Sequence, residues 1–247
     1  MASSPSSRIF LLSPAFAGGR RAQLLLNPRA PFDLARQFHT TGLPLATVFA
    51  FTSGLYFRGK IAYANRFALP QRGDVVRVIT SNAGLLDPAA VIRPRDLVAF
   101  GTTAIDPKEP AFHRPLQRHA RALRRQLGPE GAVILLGSIA TSKYRAVLEE
   151  VFGARLQFPR DFVGRGDMSR GALLLRAARA GQELSYAVVQ GAVLRGRRAS
   201  GEPRGIQAKL GRRRSAATPG CSIASCGFRA GPGRAGRCSA GARAASP

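Results

Sequence analysis

The chain has 247 residues, 45% of them apolar, and 38 basic against 13 acidic side chains give it a formal net charge of +25. That apolar share is enough for a packed core and excludes wholesale disorder, and no apolar run approaches the ~18 residues of a membrane span. A soluble, cytoplasmic protein with no membrane partner, built on one α/β domain, is therefore expected.

The charge is not confined to one end. From Arg195 onward there are 12 basic residues and one acid, Glu202, whereas the preceding 194 residues hold 26 basic and 12 acidic ones. The body is basic in its own right, so an anionic partner is expected. Arginine supplies most of this charge, a bias that GC-rich coding also produces. Lys60, Lys108 and Lys143 are the only lysines before the tail. The three cysteines, Cys221, Cys226 and Cys238, form no CxxC pair and have no histidine nearby, so neither a disulfide framework nor a metal site is expected.

In chain order, residues 1–7 read as a flexible leader, because the "IFLL" that follows is too short for a signal-peptide core. "RIFLLS" then reads as a buried strand stopped by Ser-Pro. "PAFAGGRRAQLLLN" reads as a glycine-containing loop with an apolar patch. "APFDLARQFHTTG" predicts a helix between Pro31 and Gly42. Leu45, Val48, Phe49 and Phe51 give helical spacing up to Gly54, and Leu55, Tyr56, Ile61 and Tyr63 continue a second helical piece. "DVVRVITSNAGLLDP" is a strand running into a loop, and "DLVAFGTTAID" reads as another extended segment. "PAFHRPLQRHARALRRQLG" predicts an arginine-crowded helix, and "AVILLG" a central strand buried on both faces. "SKYRAVLEEVFG" is a helix, "RLQFP" a strand, "MSRGALLLRAARAG" a helix ending at Gly181 and "ELSYAVV" a last strand. This alternation over residues 8–194 predicts a single three-layer, Rossmann-like α/β domain with a mainly parallel sheet. Residues 195–247 lose apolar periodicity and are expected to be a disordered Arg/Gly/Ala-rich tail, either a nucleic-acid-binding extension or an out-of-frame C-terminus.

In such sheets ligands bind at the carboxyl ends of the strands. Four loops leave those ends: Ser13 to Ala15, Ser81 to Gly84, Gly137 to Thr141 and Gly164 to Ser169. "GSIATSKY" offers Ser138, Thr141 and Lys143 beside a helix start, an arrangement that holds a phosphate or carboxylate, although it is not a P-loop and Ser138 or Thr141 serves equally as a helix cap. In "FVGRGDMSRG", Gly164 and Gly166 permit a tight or positive-φ turn. Asp167 caps the following helix, and Arg165, Ser169 and Arg170 flank its first turn, where an anion can be clamped. Asn82 and Asp87 are further candidates for reading a base edge or a sugar hydroxyl. "SGLYFRGKIAYA" sets Tyr56 and Tyr63 beside Arg58 and Lys60, either as a stacking platform for a base or as core tyrosines with surface hydroxyls. No GxSxG and no Cys–His pair occurs in the body, and no cofactor is expected.

The segments "SGLYFRGKIAYA", "VRVITSNAGLLDPAAVIRPRDL", "LLGSIATSKY" and "FVGRGDMSRGALLLR" together resemble an uncharacterised bacterial protein family, over roughly Arg8 to Val193. The second segment is also similar to Rossmann-like domains of unknown function related to uracil-DNA-glycosylase-like and peroxide-stress proteins, with Arg95 standing where those domains carry tyrosine. That resemblance implies nucleobase or DNA-related activity. The expected function is binding of a small anionic ligand (nucleotide, nucleobase or phosphosugar) at the strand ends, with Asp167 or Asp87 as the catalytic carboxylate that stabilises an oxocarbenium-like state or orients water if glycosidic-bond chemistry occurs. The alternative is a non-catalytic nucleic-acid binder using Arg118, Arg121, Arg124 and Arg125 with the tail.

Overall fold

The computed structural model describes residues 7–193. The leader before Ser7 and the tail expected from residue 195, with its cysteines, lie outside the described residues.

The first strand, β1 (Arg8–Leu12), is buried at every position after Arg8, as a continuous apolar run must be when parallel neighbours cover it on both edges and helices cover its faces. Those neighbours are β3 (Val75–Ile79) and β6 (Ala132–Leu136), with Ile9 level with Val75 on one side and Val133 on the other. Beyond β6 lies β7 (Leu156–Pro159), also parallel. Short antiparallel strands finish both edges, β4 (Leu85–Leu86) on β3 and β8 (Tyr186–Val188) on β7. The sheet order is β4-β3-β1-β6-β7-β8. A separate antiparallel ribbon joins β2 (Leu43–Pro44) to β5 (Val91–Ile92).

The chain leaves β1 towards one edge through α1 (Arg20–Leu26), α2 (Asp33–Thr40), α3 (Leu45–Ser53) and α4 (Leu55–Phe67), and returns as β3. It then crosses through α5 (Pro94–Thr102) and α6 (Pro110–Gln126) to β6 on the other side of β1, and continues through α7 (Lys143–Phe152), β7 and α8 (Asp167–Ala180) to β8. Helix α4 packs on α8, and α6 on α7. Right-handed crossovers put these pairs on opposite faces, giving three layers. The winding reverses between β1 and β6, and that is where such sheets open a crevice at their carboxyl edge. The α/β class and the mostly parallel sheet are as the alternation of elements predicts.

Two segments differ from the sequence reading. Residues 20–26, expected as loop, form α1, which buries Ala22 and Leu25; seven residues are too few to show periodicity. "DLVAFGTT", expected as extended, lies in α5. There Pro94 occupies the first turn, the Asp96 carboxylate accepts the Arg93 amide at 2.8 Å, and Leu97 and Phe100 face inward. The start signal outweighs the β-branched and glycine content.

Helices α4 and α8 meet backbone to backbone. A Cβ at Gly59 would lie 2.6 Å from the Gly171 carbonyl oxygen, and one at Gly171 would lie 2.8 Å from Tyr56 Cα. At the amino end of the central strand, Arg8 ties β1 down: its amide donates to Asp74 (2.7 Å), and its guanidinium to Glu183 (2.5 Å) and the Phe67 carbonyl (2.6 Å). Tyr63, expected with a surface hydroxyl, is fully buried and bonds the Tyr186 hydroxyl at 2.7 Å. No helix among the described residues is long and apolar enough to cross a membrane.

Candidate functional site

Strands β1 and β6 end side by side at the reversal point. The Ser13 amide still donates to the Leu136 carbonyl at 3.2 Å, one residue past the strand, before Pro14 breaks the ladder. Gly137 follows β6, and a Cβ there would stand 2.8 Å from both Ser13 Cβ and the Tyr144 hydroxyl. Only glycine lets the two strand ends and the Tyr144 ring close up. The Tyr144 hydroxyl donates to the Ser138 carbonyl at 2.9 Å, which fixes the turn entering α7.

A hollow of about 440 Å³ opens over these ends, lined by Ser13, Tyr56, Ser138, Thr141, Lys143 and Asp167 among others. A second hollow of about 380 Å³ shares Pro14 to Phe16, Ile105 and Lys143 with it, and adds apolar walls from Phe49 and Phe100. The site thus has a polar lobe and an apolar lobe with Lys143 on both.

Two cations are buried next to the polar lobe. Lys60 is 1% exposed; its ammonium nitrogen donates to the Ser13 carbonyl at 2.7 Å and bonds Ser13 Oγ at 2.9 Å. It sits 4.3 Å from the centre of the Tyr56 ring and 5.0 Å from that of Phe57. Burial pushes its pKa down to about 7, against the pull of the Asp167 carboxylate, with Arg170 adding to the depression. Arg170 is 8% exposed, donates to the Phe162 carbonyl at 3.2 Å and pairs with Asp167 at 3.3 Å. Tyr56 is 6% exposed, yet among the described residues its hydroxyl has no hydrogen-bond partner, and burial raises its pKa above the usual phenol range. An unpaired buried hydroxyl costs roughly 1–3 kcal/mol of desolvation.

The structure brings Ser138, Thr141, Lys143 and Asp167 onto one rim, and Arg170 behind it. Neither Ser138 nor Thr141 caps α7; Ser142 holds that place without a side-chain bond. Nor does Asp167 cap α8, since the capping position is Gly166. Gly164 takes the positive φ expected of it, 73°, whereas Gly166 is extended, with φ −82° and ψ 170°. Arg165, half-buried, donates to Ser169 Oγ at 3.1 Å, and neither lines the hollow. Asn82 lies in the β3–β4 hairpin turn, where Thr80 and Gly84 are bonded to each other, and lines neither lobe. Asp87 pairs with Arg77 at 2.9 Å in a third hollow, beside Asp74 and Asn65, away from the rim. On α6, Arg121 reaches Glu150 and Arg124 bonds the Val151 carbonyl, so two of the four arginines are engaged with α7.

Sequence reasoning places Ser13 in a candidate loop without giving it a role, does not single out Tyr144, and sets Lys60 only as a cation beside the tyrosines. The signal for Lys60 was its helical phase: Tyr56, Phe57 and Tyr63 stand four and three residues before it and three after, so it occupies the apolar face. No family model, curated protein or solved structure matches the chain.

Proposed function

We propose that the protein binds a small anionic molecule of the nucleotide or phosphosugar type in the two-lobed hollow between the ends of β1 and β6. The observation that carries this reading is the set of cationic groups around a polar lobe with one lining carboxylate: Lys143 on its wall and Arg170 buried behind it, paired with that carboxylate, Asp167, with Lys60 adding a charge below about pH 7. Backing charges held in low dielectric attract an anion more strongly than solvated ones do. The Ser138 and Thr141 hydroxyls supply neutral donors, and the apolar lobe accommodates a base or another flat, uncharged portion. The two acids considered for glycosidic cleavage line different hollows, so the paired carboxylates of that mechanism are not both at this rim.

The test is calorimetric titration of the full chain with inorganic phosphate, ribose 5-phosphate and AMP. Binding is expected, weakened roughly tenfold or more by Lys143→Ala, as for a lost charge-assisted contact, strengthened by Asp167→Asn, and unchanged by Arg165→Ala. Heats of zero for all three, or an affinity indifferent to Lys143→Ala, would refute the reading.

A further inference from the structure

We propose that Ser13 is a catalytic nucleophile with Lys60 as its general base, so that the hollow carries out acyl transfer from an ester with an apolar acyl part and an anionic alcohol part. The proposal rests on the reading above that this hollow admits a small ligand.

Both hydrogen bonds of the Lys60 nitrogen go to Ser13, one to its carbonyl and one to its Oγ. No salt bridge reaches Lys60 among the described residues. A charged lysine this deep ordinarily recruits a carboxylate. A neutral one needs what is present here: an acceptor for one N–H and a hydroxyl that can donate to its lone pair. The groups facing it are the Tyr56 and Phe57 rings on its own helix, Ser13 from β1, and Asp167 and Arg170 from α8. Tyr144, from α7, packs over Ser13. Both tyrosines stay protonated, with Tyr144 pushed up to about 12 by burial, so neither takes the Ser13 proton near neutrality. Lysine, released at about 7, is the base in range. Ser13 is 4% exposed but forms part of the wall of the hollow, so an entering ester must reach its oxygen from that wall.

In the reaction, Lys60 takes the proton from Ser13 Oγ as that oxygen bonds to the ester carbonyl carbon. The tetrahedral adduct collapses, the bond from carbon to the alcohol oxygen breaks, and the leaving oxygen takes the proton back from the Lys60 ammonium. Water then attacks the acyl-serine, giving its proton to Lys60, and the acid departs as Ser13 Oγ recovers a proton. Electron count is unchanged throughout. The apolar lobe beside Pro14 to Phe16 receives the acyl group, and Thr141 and Lys143 hold the anionic alcohol portion.

The experiment treats the full chain with a fluorophosphonate reagent, which phosphonylates an activated serine and releases fluoride, and locates the adduct by peptide mass spectrometry. Ser13 is expected to be modified, at a rate that rises with pH and levels off above about 7. Ser13→Ala should abolish the adduct and Lys60→Met should slow it on the order of 10³-fold, since nucleophile and base act as a unit. No adduct on Ser13 in the folded unmodified chain overturns the proposal, as does a rate that climbs without a plateau to pH 10. If Lys60→Met does not fold, the pH profile of the unmodified chain decides alone. Phosphate that binds while Ser13 stays unlabelled sinks the dyad and leaves the binding site standing; labelling without anion binding does the reverse.

Discussion

Lys60 makes the stability of the fold depend on pH in a definite direction. The unfolded chain keeps its lysine proton up to about 10.4, while the folded chain releases it at about 7. Between those values the unfolded state binds more protons, so stability climbs as pH rises, by at most about 1.4 kcal/mol per unit. Below about 7 the buried charge opposes folding in full. The buried tyrosines work the other way only above about 10, where the unfolded chain loses phenolic protons that Tyr56 and Tyr144 retain. Urea titrations at pH 6.5, 8 and 9.5 should therefore show a rising unfolding free energy that flattens in Lys60→Met; a flat profile in the unmodified chain would mean that Lys60 stays charged. Tyr56→Phe removes a hydroxyl that has no partner among the described residues, so the variant should be as stable as the parent or up to about 1 kcal/mol more so. If ligand completes that hydroxyl's bonding, the same change should also weaken phosphate binding. Charge alone cannot distinguish a buried lysine from a solvated one in a sequence. Only its phase relative to Tyr56, Phe57 and Tyr63 does, and that phase was legible.

Among elements, the α4–α8 contact decides where the polar groups meet. It sets Tyr56 and Lys60 beside Asp167 and Arg170 because Gly59 and Gly171 allow the two main chains to touch. Alanine in a helix interior is normally better than glycine by roughly 0.5–1 kcal/mol. Here Gly59→Ala and Gly171→Ala should instead lower the unfolding free energy by about 1–3 kcal/mol, the cost of forcing atoms into a filled contact, as read by chemical denaturation. A gain in stability would mean that the helices separate without penalty. Strands β1, β3, β6 and β7 and helices α4, α6, α7 and α8 were legible because their apolar spacing is long or continuous. Helix α1 was not, being about two turns behind Gly18-Gly19, and α5 was obscured by residues that favour strands in isolation. Pairing of the Gly137 and Gly164 turns on one side was expected from topology alone; that Asp87 stands apart follows from β4 running antiparallel, which carries the chain back towards the start of β3, whereas the neighbour of Asn82, Ser81, does line the apolar lobe.

At the scale of the whole molecule, a pocket ligand and a nucleic-acid partner make different demands. Phosphate held by Lys143 over buried cations should bind with a shallow salt dependence, and truncation after Val193 should leave its affinity unchanged. A chain that neutralised many phosphates with its surface arginines would lose roughly 10³-fold in affinity between low and moderate salt. The order of the strands has a separate consequence for biosynthesis. The central strand β1 is the first to leave the ribosome, yet its two partners are β3 and the much later β6. Pairings that distant close slowly. Ser13 and Lys60 can meet once α4 has emerged, but Tyr144 and Asp167 arrive only with the second half of the chain. A nascent or stalled polypeptide would thus carry a half-built cluster, and on the proposed function the newly made protein would become competent only when α8 docks.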